Sequence, residues 1–314
     1  MSLWSDFLTN DARLIHKWKH YFPIYERHFQ HWVYRPLTFL EVGCGFGGSL
    51  QMWKRYFGPH AIIIGIDILP RCKEYEEDQI AVRIGPQQDV KFLQSIIDEF
   101  GTPDIVLDDG SHMMSDMVTT FSFLYPRVAK NGVYMVEDLH TAYWEEYEGA
   151  LRKPTTFVEL CKNLLDELNA DHTRDALQPT EFTKTTLSMH FYDSVVVFEK
   201  GAHTKKWAPE IGHRDWPTGS NEAASAEQGR HAPPDEPKQE AIASLKTELQ
   251  HAVAERDEAR AALQETHTAL AASEDTLSRI RNSVSWRATE PARRLLAALR
   301  SGPRASGPSE KKNS

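Results

Sequence analysis

Leu40-Glu41-Val42-Gly43-Cys44-Gly45-Phe46-Gly47-Gly48-Ser49 is the stretch on which the fold turns. An apolar run, Leu37–Val42, reads as a strand and ends in glycines at 43, 45 and 47. Glycine lets a backbone turn tightly and approach a ligand, and the apolar pattern of 48–56 starts a helix immediately afterwards. The same residues fit G-x-G-x-x-G through Gly43, Gly45 and Gly48, a pattern of dinucleotide-binding turns. The next apolar run, Ala61–Asp67, ends in an acid 26 residues after Glu41. An Asp at that strand end can accept hydrogen bonds from two ribose hydroxyls. A nucleoside-containing cofactor is the reading these features support; the competing one is a structural loop with Asp67 as a helix cap.

Working outward, strands and helices alternate. Helical patterns are expected over 48–56, 90–99 and 115–128, and strands over 104–108 and 132–136. Strands separated by helices of this length imply a parallel sheet covered on both faces. Residues 187–191 and 194–198, joined by Tyr192-Asp193, read as an antiparallel hairpin closing it. The expected fold is therefore α/β: a Rossmann-like, doubly wound, mostly parallel sheet over 37–205, with residues 1–36 as a helical segment of the same domain.

The second half differs. Residues 206–240 are rich in Pro, Gly, Ser, Ala and Glu, a composition that buries too little to offset its ordering entropy, so a disordered linker is expected. Over 241–284 a heptad runs Ile242, Leu249, Arg256, Leu263, Leu270, Leu277, Val284. Its companion series, Leu245, Ala252, Ala259, Thr266, Ser273 and Ile280, is weaker. This favours a long coiled coil and self-association as a dimer or trimer; a single helix folded back on the domain is the alternative. Residues 285–314 carry seven basic and two acidic residues, with Trp286 in a short amphipathic stretch. That suits an anionic membrane surface or an acidic partner, or a solvated helix.

Composition narrows the function classes. The formal net charge is −9, and no dense basic patch occurs in the first 200 residues, which argues against nucleic acid as a partner. No apolar run is long enough to span a bilayer, the N-terminus lacks the pattern of a secretory signal, and three unrelated cysteines form no disulfide framework. A cytoplasmic protein is expected, with its tail suited to the inner face of the cell membrane.

Two strand ends carry polar clusters: Asp108-Asp109-Gly110-Ser111-His112, and Glu137-Asp138-Leu139-His140-Thr141. Neighbouring parallel strands would bring Asp109 together with Glu137 and Asp138 beside the glycine turn. Converging carboxylates repel unless a cation lies between them, and hard oxygen donors favour Mg²⁺, Mn²⁺ or Ca²⁺. Such an ion can bind two vicinal hydroxyls of a substrate while a histidine, His112 or His140, takes a proton. The plainer readings are turn and cap chemistry for the acids and packed imidazoles for the histidines.

Glu41, two residues before the first glycine, favours a class I S-adenosylmethionine-dependent methyltransferase over a nicotinamide oxidoreductase. Residues 13–200 as a whole resemble bacterial metal-dependent O-methyltransferases of macrolide sugars. The likeness runs through residues 14–25, Leu40–Gly43, Asp108–His112, Glu137–Trp144 and His190–Ser194. It implies metal ligation by Asp109, Glu137 and Asp138, a general base at His112, and cofactor contacts from Glu41, Gly43, Asp67, Gln87, Asp89 and Asp108. Where such relatives often read Gly-Asp-Gln-x-Asp, this chain has Gly85-Pro86-Gln87-Gln88-Asp89. Residues 282–293, after the heptads, are similar to segments of bacterial cell-surface polysaccharide enzymes, which implies a glycan acceptor and glycan-assembly enzymes as partners. A soluble secondary metabolite as acceptor and a non-catalytic coiled-coil scaffold are the two alternatives.

Overall fold

A computed structural model describes residues 2–202, together with scattered helical positions between Ser244 and Ala272. The chain divides into two units, Met1–Trp207 and Ala208–Ser314. The linker, the tail and most of the heptad seam lie outside the described residues. Every described position between Ser244 and Ala272 is helical. Among the described residues no helix is long and apolar enough to cross a membrane.

The first unit opens with α1 (Leu3–Leu8) and α2 (Phe22–Phe29). There follow β1 (Leu37–Val42), α3 (Gly48–Phe57), β2 (Ala61–Asp67), β3 (Ile80–Ile84), α4 (Val90–Phe100) and β4 (Ile105–Asp108). Then come α5 (Met114–Leu124), β5 (Val133–Val136), α6 (Phe157–Leu168), α7 (Glu181–Thr185), β6 (Thr186–Tyr192) and β7 (Val195–Lys200). The seven strands are ordered β3-β2-β1-β4-β5-β7-β6. The first five are parallel, and β7 runs antiparallel between β5 and β6. The doubly wound sheet and the closing hairpin are as expected.

The structure adds α6 and α7, where the sequence reading assigns no helix, and two further elements depart from that reading. β3 is one the sequence reading lacks: Ile80, Val82 and Ile84 alternate as in a strand, but over five residues only, and pairing with β2 fixes them. The helix expected over 115–128 stops at Leu124 and tightens into a 3₁₀ turn over Tyr125–Arg127, because Pro126 lacks the amide that would continue the ladder.

Alternation along the strands sorts side chains onto two cores. Phe39, Ile63, Leu107, Met135 and Val197 pack against Tyr21, Phe22, Tyr25, Phe29, Trp53 and Phe57 on one face. Leu40, Ile64, Val106, Tyr134 and Phe198 meet Leu93, Phe121, Leu124 and Phe157 on the other. Both faces being covered explains why the parallel strands read as continuous apolar runs.

The order reverses between β1 and β4, and ligands of open α/β sheets bind off the carboxyl ends of strands at such a switch point. Val42 is level with Asp108, and Asp108 with Val136, so the loops after β1, β4 and β5 emerge side by side. Gly43 is at φ +81°, and a Cβ there would lie 2.2 Å from the Asp109 carbonyl oxygen. Gly43→Ala is therefore expected to cost at least about 1–3 kcal/mol through backbone strain and the clash together, measurable as a lowered midpoint in chemical denaturation.

Candidate active site

The segment between α1 and α2 is irregular but not loose. It crosses the carboxyl end of the sheet so closely that a Cβ on Gly48, at the start of α3, would lie 2.3 Å from the Leu14 carbonyl oxygen. Together with the glycine turn and the loops after β4 and β5 it encloses a cleft of about 430 Å³. Gly43, Gly45, Asp67, Asp109, His112, Glu137 and Asp138 all line it.

At the turn, Gly45 is at φ +47° with open space where a side chain would stand, so the backbone faces the cleft bare. Gly47, also left-handed at φ +73°, instead abuts the Tyr75 ring and is not part of the cleft lining. Asp67 accepts the amides of Cys44 and Gly45 through Oδ2 (3.1 and 3.0 Å) and that of Leu69 through Oδ1 (2.9 Å). Oδ2 is thereby filled by two amides, while Oδ1, with one, keeps a lone pair free.

A smaller cavity of about 170 Å³ adjoins this one, lined by Asp67, Pro86, Gln87 and Ser111 among others. Gln87 accepts the Ser111 amide (2.6 Å) and donates to Asp108 (3.3 Å) and the Thr120 hydroxyl (3.1 Å). Asp108 is buried beneath it and accepts from the Tyr134 hydroxyl at 3.1 Å. Burial, opposed by those hydrogen bonds, pushes its pKa up to about 7. Asp89 caps the N-terminus of α4, accepting the amides of Lys91 and Phe92, and lines neither cavity.

The acids converge as the strand order requires, but a side chain the sequence reading did not single out sits among them. The Lys17 ammonium lies 2.6 Å from Asp109 Oδ2, 3.2 Å from both Glu137 oxygens and 3.4 Å from Glu41 Oε1. Its side chain is only 3% exposed. Burial by itself would lower the Lys17 pKa, but the three carboxylates outweigh it and hold the ammonium charged, well above its ordinary range. Burial raises Glu41 and, with the charge of Asp109, raises Glu137.

The remaining valences of both acids are filled from within. Glu41 accepts from the Ser49 hydroxyl (2.7 Å) and the Trp53 indole (3.3 Å), and Glu137 from the Tyr25 hydroxyl (2.6 Å). Glu41 is thus the buried counter-ion under the glycine turn and not part of the cleft wall. Glu137 lines the cleft, but its carboxylate is tied back to Lys17 and Tyr25.

Asp109, His112 and Asp138 have ligand atoms that all lie within 4.8 Å of one another. His112 Nε2 is 3.8 Å from Asp109 Oδ1 and 3.6 Å from Asp138 Oδ2. Both His112 and Asp138 adopt left-handed backbone, at φ 58° and 54°, a conformation that Asp and His tolerate better than most residues. The Tyr21 hydroxyl fixes Asp138 from behind at 2.7 Å. His140, by contrast, lines neither cavity; its Nδ1 bonds the Ser194 hydroxyl (2.6 Å) and its ring packs on Trp144, with centroids 4.7 Å apart. Lys17, Tyr21 and Tyr25 carry no spacing signal in the sequence. Their trace is that all three fall within residues 14–25, one of the stretches that carry the family likeness, where Lys17 is a charge between His16 and Trp18.

Comparison with known proteins gives this geometry a context. Over 194 residues the chain is 38% identical to the 8-demethyl-8-alpha-L-rhamnosyl tetracenomycin-C 2'-O-methyltransferase of Streptomyces olivaceus. That alignment covers 59% of this chain and 51% of the relative. Over 213 residues it is 35% identical to the mycinamicin VI 2''-O-methyltransferase of Micromonospora griseorubida, covering 63% and 52%. The chain is related to the sugar O-methyltransferases. In three dimensions it matches the methyltransferase MycE of mycinamycin biosynthesis, solved with Mg, SAH and mycinamycin VI, with a TM-score of 0.57 and 32% identity over 68% of this chain and 56% of that one. It spans about half the length of the curated sugar O-methyltransferases it matches. No protein-family model matches the chain.

Proposed function

We propose that the chain is an S-adenosylmethionine-dependent, divalent-metal-dependent O-methyltransferase acting on a sugar hydroxyl. The observation that carries this reading is the juxtaposition, in one cleft, of the bare glycine turn with Asp67 and of the Asp109–His112–Asp138 cluster. The donor set fits a hard divalent cation: two carboxylates with separate access to the cleft, and an imidazole within reach. Asp109 and Asp138 would hold that ion, with Glu137 behind them. When bound, it would lower the pKa of a sugar hydroxyl and fix its orientation, and S-adenosylmethionine would supply the methyl group.

The chain's own residues account for the rest. Gly43 and Gly45 let the backbone approach the cofactor, and Asp67 accepts from its ribose. Gln87 and Ser111 border the adjoining cavity that would take the base. His112, facing the cleft between two carboxylates, accepts the proton of the acceptor hydroxyl at Nε2. His140, turned onto Ser194 and Trp144, holds the loop after β5 in place. Exposed Trp18 and Trp144 stand near His140, suited to packing on the apolar face of a sugar ring.

The relatives named above methylate sugars of glycosylated small molecules, which supports such a glycoside as the acceptor. The polysaccharide reading rested on residues 282–293, outside the described positions, and these relatives lend it no support. Self-association through 241–284 and contact of 285–314 with an anionic surface belong to this proposal on sequence grounds alone. A scaffold has no use for an assembled cleft of this kind.

Calorimetric titration of the full chain with S-adenosylhomocysteine, with and without Mg²⁺ and with NADH as control, tests the proposal. Binding of S-adenosylhomocysteine and not NADH is expected, and Asp109→Asn should lose Mg²⁺ binding while keeping the nucleoside. Methyl transfer that persists in excess chelator would overturn the metal's part in it.

A further inference from the structure

A second cluster of ligating side chains lies outside the cleft. His28 on α2, His190 on β6 and Glu199 on β7 have ligand atoms that all lie within 4.8 Å of one another. His28 Nδ1 is 2.8 Å from Glu199 Oε1, and His190 Nε2 is 3.2 Å from Glu199 Oε2. Ser188 Oγ stands 2.9 Å from His190 Nε2 and 2.8 Å from Glu199 Oε2. We propose that His28, His190 and Glu199 form a binding site for a borderline divalent cation of the zinc type.

The donor chemistry differs from that of the cleft. Two imidazoles and one carboxylate suit zinc, whose sites take three such ligands and a fourth position filled by water or a hydroxyl. Tetrahedral bonds of about 2.0–2.1 Å set ligand atoms a little over 3 Å apart, close to the separations between Glu199 and the two rings. The outer contact is present as well: the Tyr192 hydroxyl lies 2.8 Å from His28 Nε2 and can accept its proton when Nδ1 binds metal. The site has one open side, since His28 is shut in (side chain 2% exposed) while His190 and Glu199 are each 37% exposed. An ion and its water can enter there.

The site's position suggests what it does. It would fasten the β6–β7 hairpin to α2. The hairpin carries Ser194, which holds His140, and Tyr25 of α2, with Tyr21 just before that helix, holds Glu137 and Asp138. A metal there would brace the two sides of the cleft without touching the reacting atoms. The third cluster of possible ligands, Cys44, Asp67 and Cys72, is a poorer host, because burial pushes the pKa of both thiols up and so disfavours the thiolates a metal needs.

The test uses the full chain, stripped with chelator, saturated with Mg²⁺ to fill the cleft, and titrated with Co²⁺. One equivalent should give the visible absorption of four-coordinate cobalt, displaced by Zn²⁺. The band should vanish in His190→Ala and His28→Gln, survive in Asp109→Asn, and form about 10–100-fold more weakly in Tyr192→Phe. Zn²⁺ should raise the Tm of the wild type and not that of His190→Ala, whose half-exposed position leaves folding intact. No band, or a band indifferent to His190→Ala, would overturn the proposal. A sulfur-to-cobalt band in the near ultraviolet would place the ion at the cysteines and overturn it too.

Discussion

His112→Ala is expected to lower kcat by about 10²–10⁴-fold while S-adenosylhomocysteine and Mg²⁺ still bind, the signature of losing a general base. His112 is the one of the two sequence-nominated histidines that faces the cleft, with Nε2 between Asp109 and Asp138. The carboxylates beside it carry the charge opposite to that of the imidazolium formed in the reaction. His140→Ala, in contrast, removes a ring engaged with Ser194 and Trp144, and should disturb acceptor affinity more than kcat. Steady-state kinetics of both variants separate the two roles. Near-wild-type turnover in His112→Ala would assign the base elsewhere, and a loss of Mg²⁺ binding in the same variant would make His112 a ligand.

Lys17→Met is expected to destabilise the fold by about 3–5 kcal/mol, the cost of leaving buried charge without its partner. The Lys17 ammonium touches Asp109, Glu137 and Glu41, and the last two are almost wholly buried. Without it those acids repel one another in a medium that screens poorly. Methionine keeps the length of the stem, so the loss reads the charge and not a cavity. Adding Glu41→Gln to the same chain should recover part of the loss, since one source of repulsion goes with it. Mg²⁺ should raise the midpoint of Lys17→Met more than that of the wild type, because a divalent ion at Asp109 partly replaces the missing ammonium. A loss under about 1 kcal/mol in denaturant titration would mean that the acids shed their charge or reach water instead.

Much of the molecule was legible in the chain itself. Continuous apolar runs and 3.6-residue patterns, with the glycine turn from Gly43 between them, placed β1, β2, α3 and α4 to within a residue or two, because those elements bury apolar surface. β3 escaped because its alternating Ile80, Val82 and Ile84 span only five residues, too short a run to stand out before its pairing with β2 is known. Asp109, Glu137 and Asp138 were found because polar residues at the ends of apolar strands are conspicuous, and parallel order brings strand ends together whatever the helices do.

What the tertiary structure alone decided is how those acids divide. Glu41, Asp89 and Asp109 are alike as sequence features, each an acid at the edge of a regular element. The fold makes the first a buried counter-ion to Lys17, the second a helix cap and the third a wall of the cleft. Lys17 reaches Asp109 across 92 positions of chain and Glu137 across 120, and no local pattern encodes a partner so distant. Local propensity and periodicity act over a turn or a strand and can be read from residues in order. Charge compensation acts through space in a low-dielectric interior, so it is settled only when the chain has folded and the distances are known.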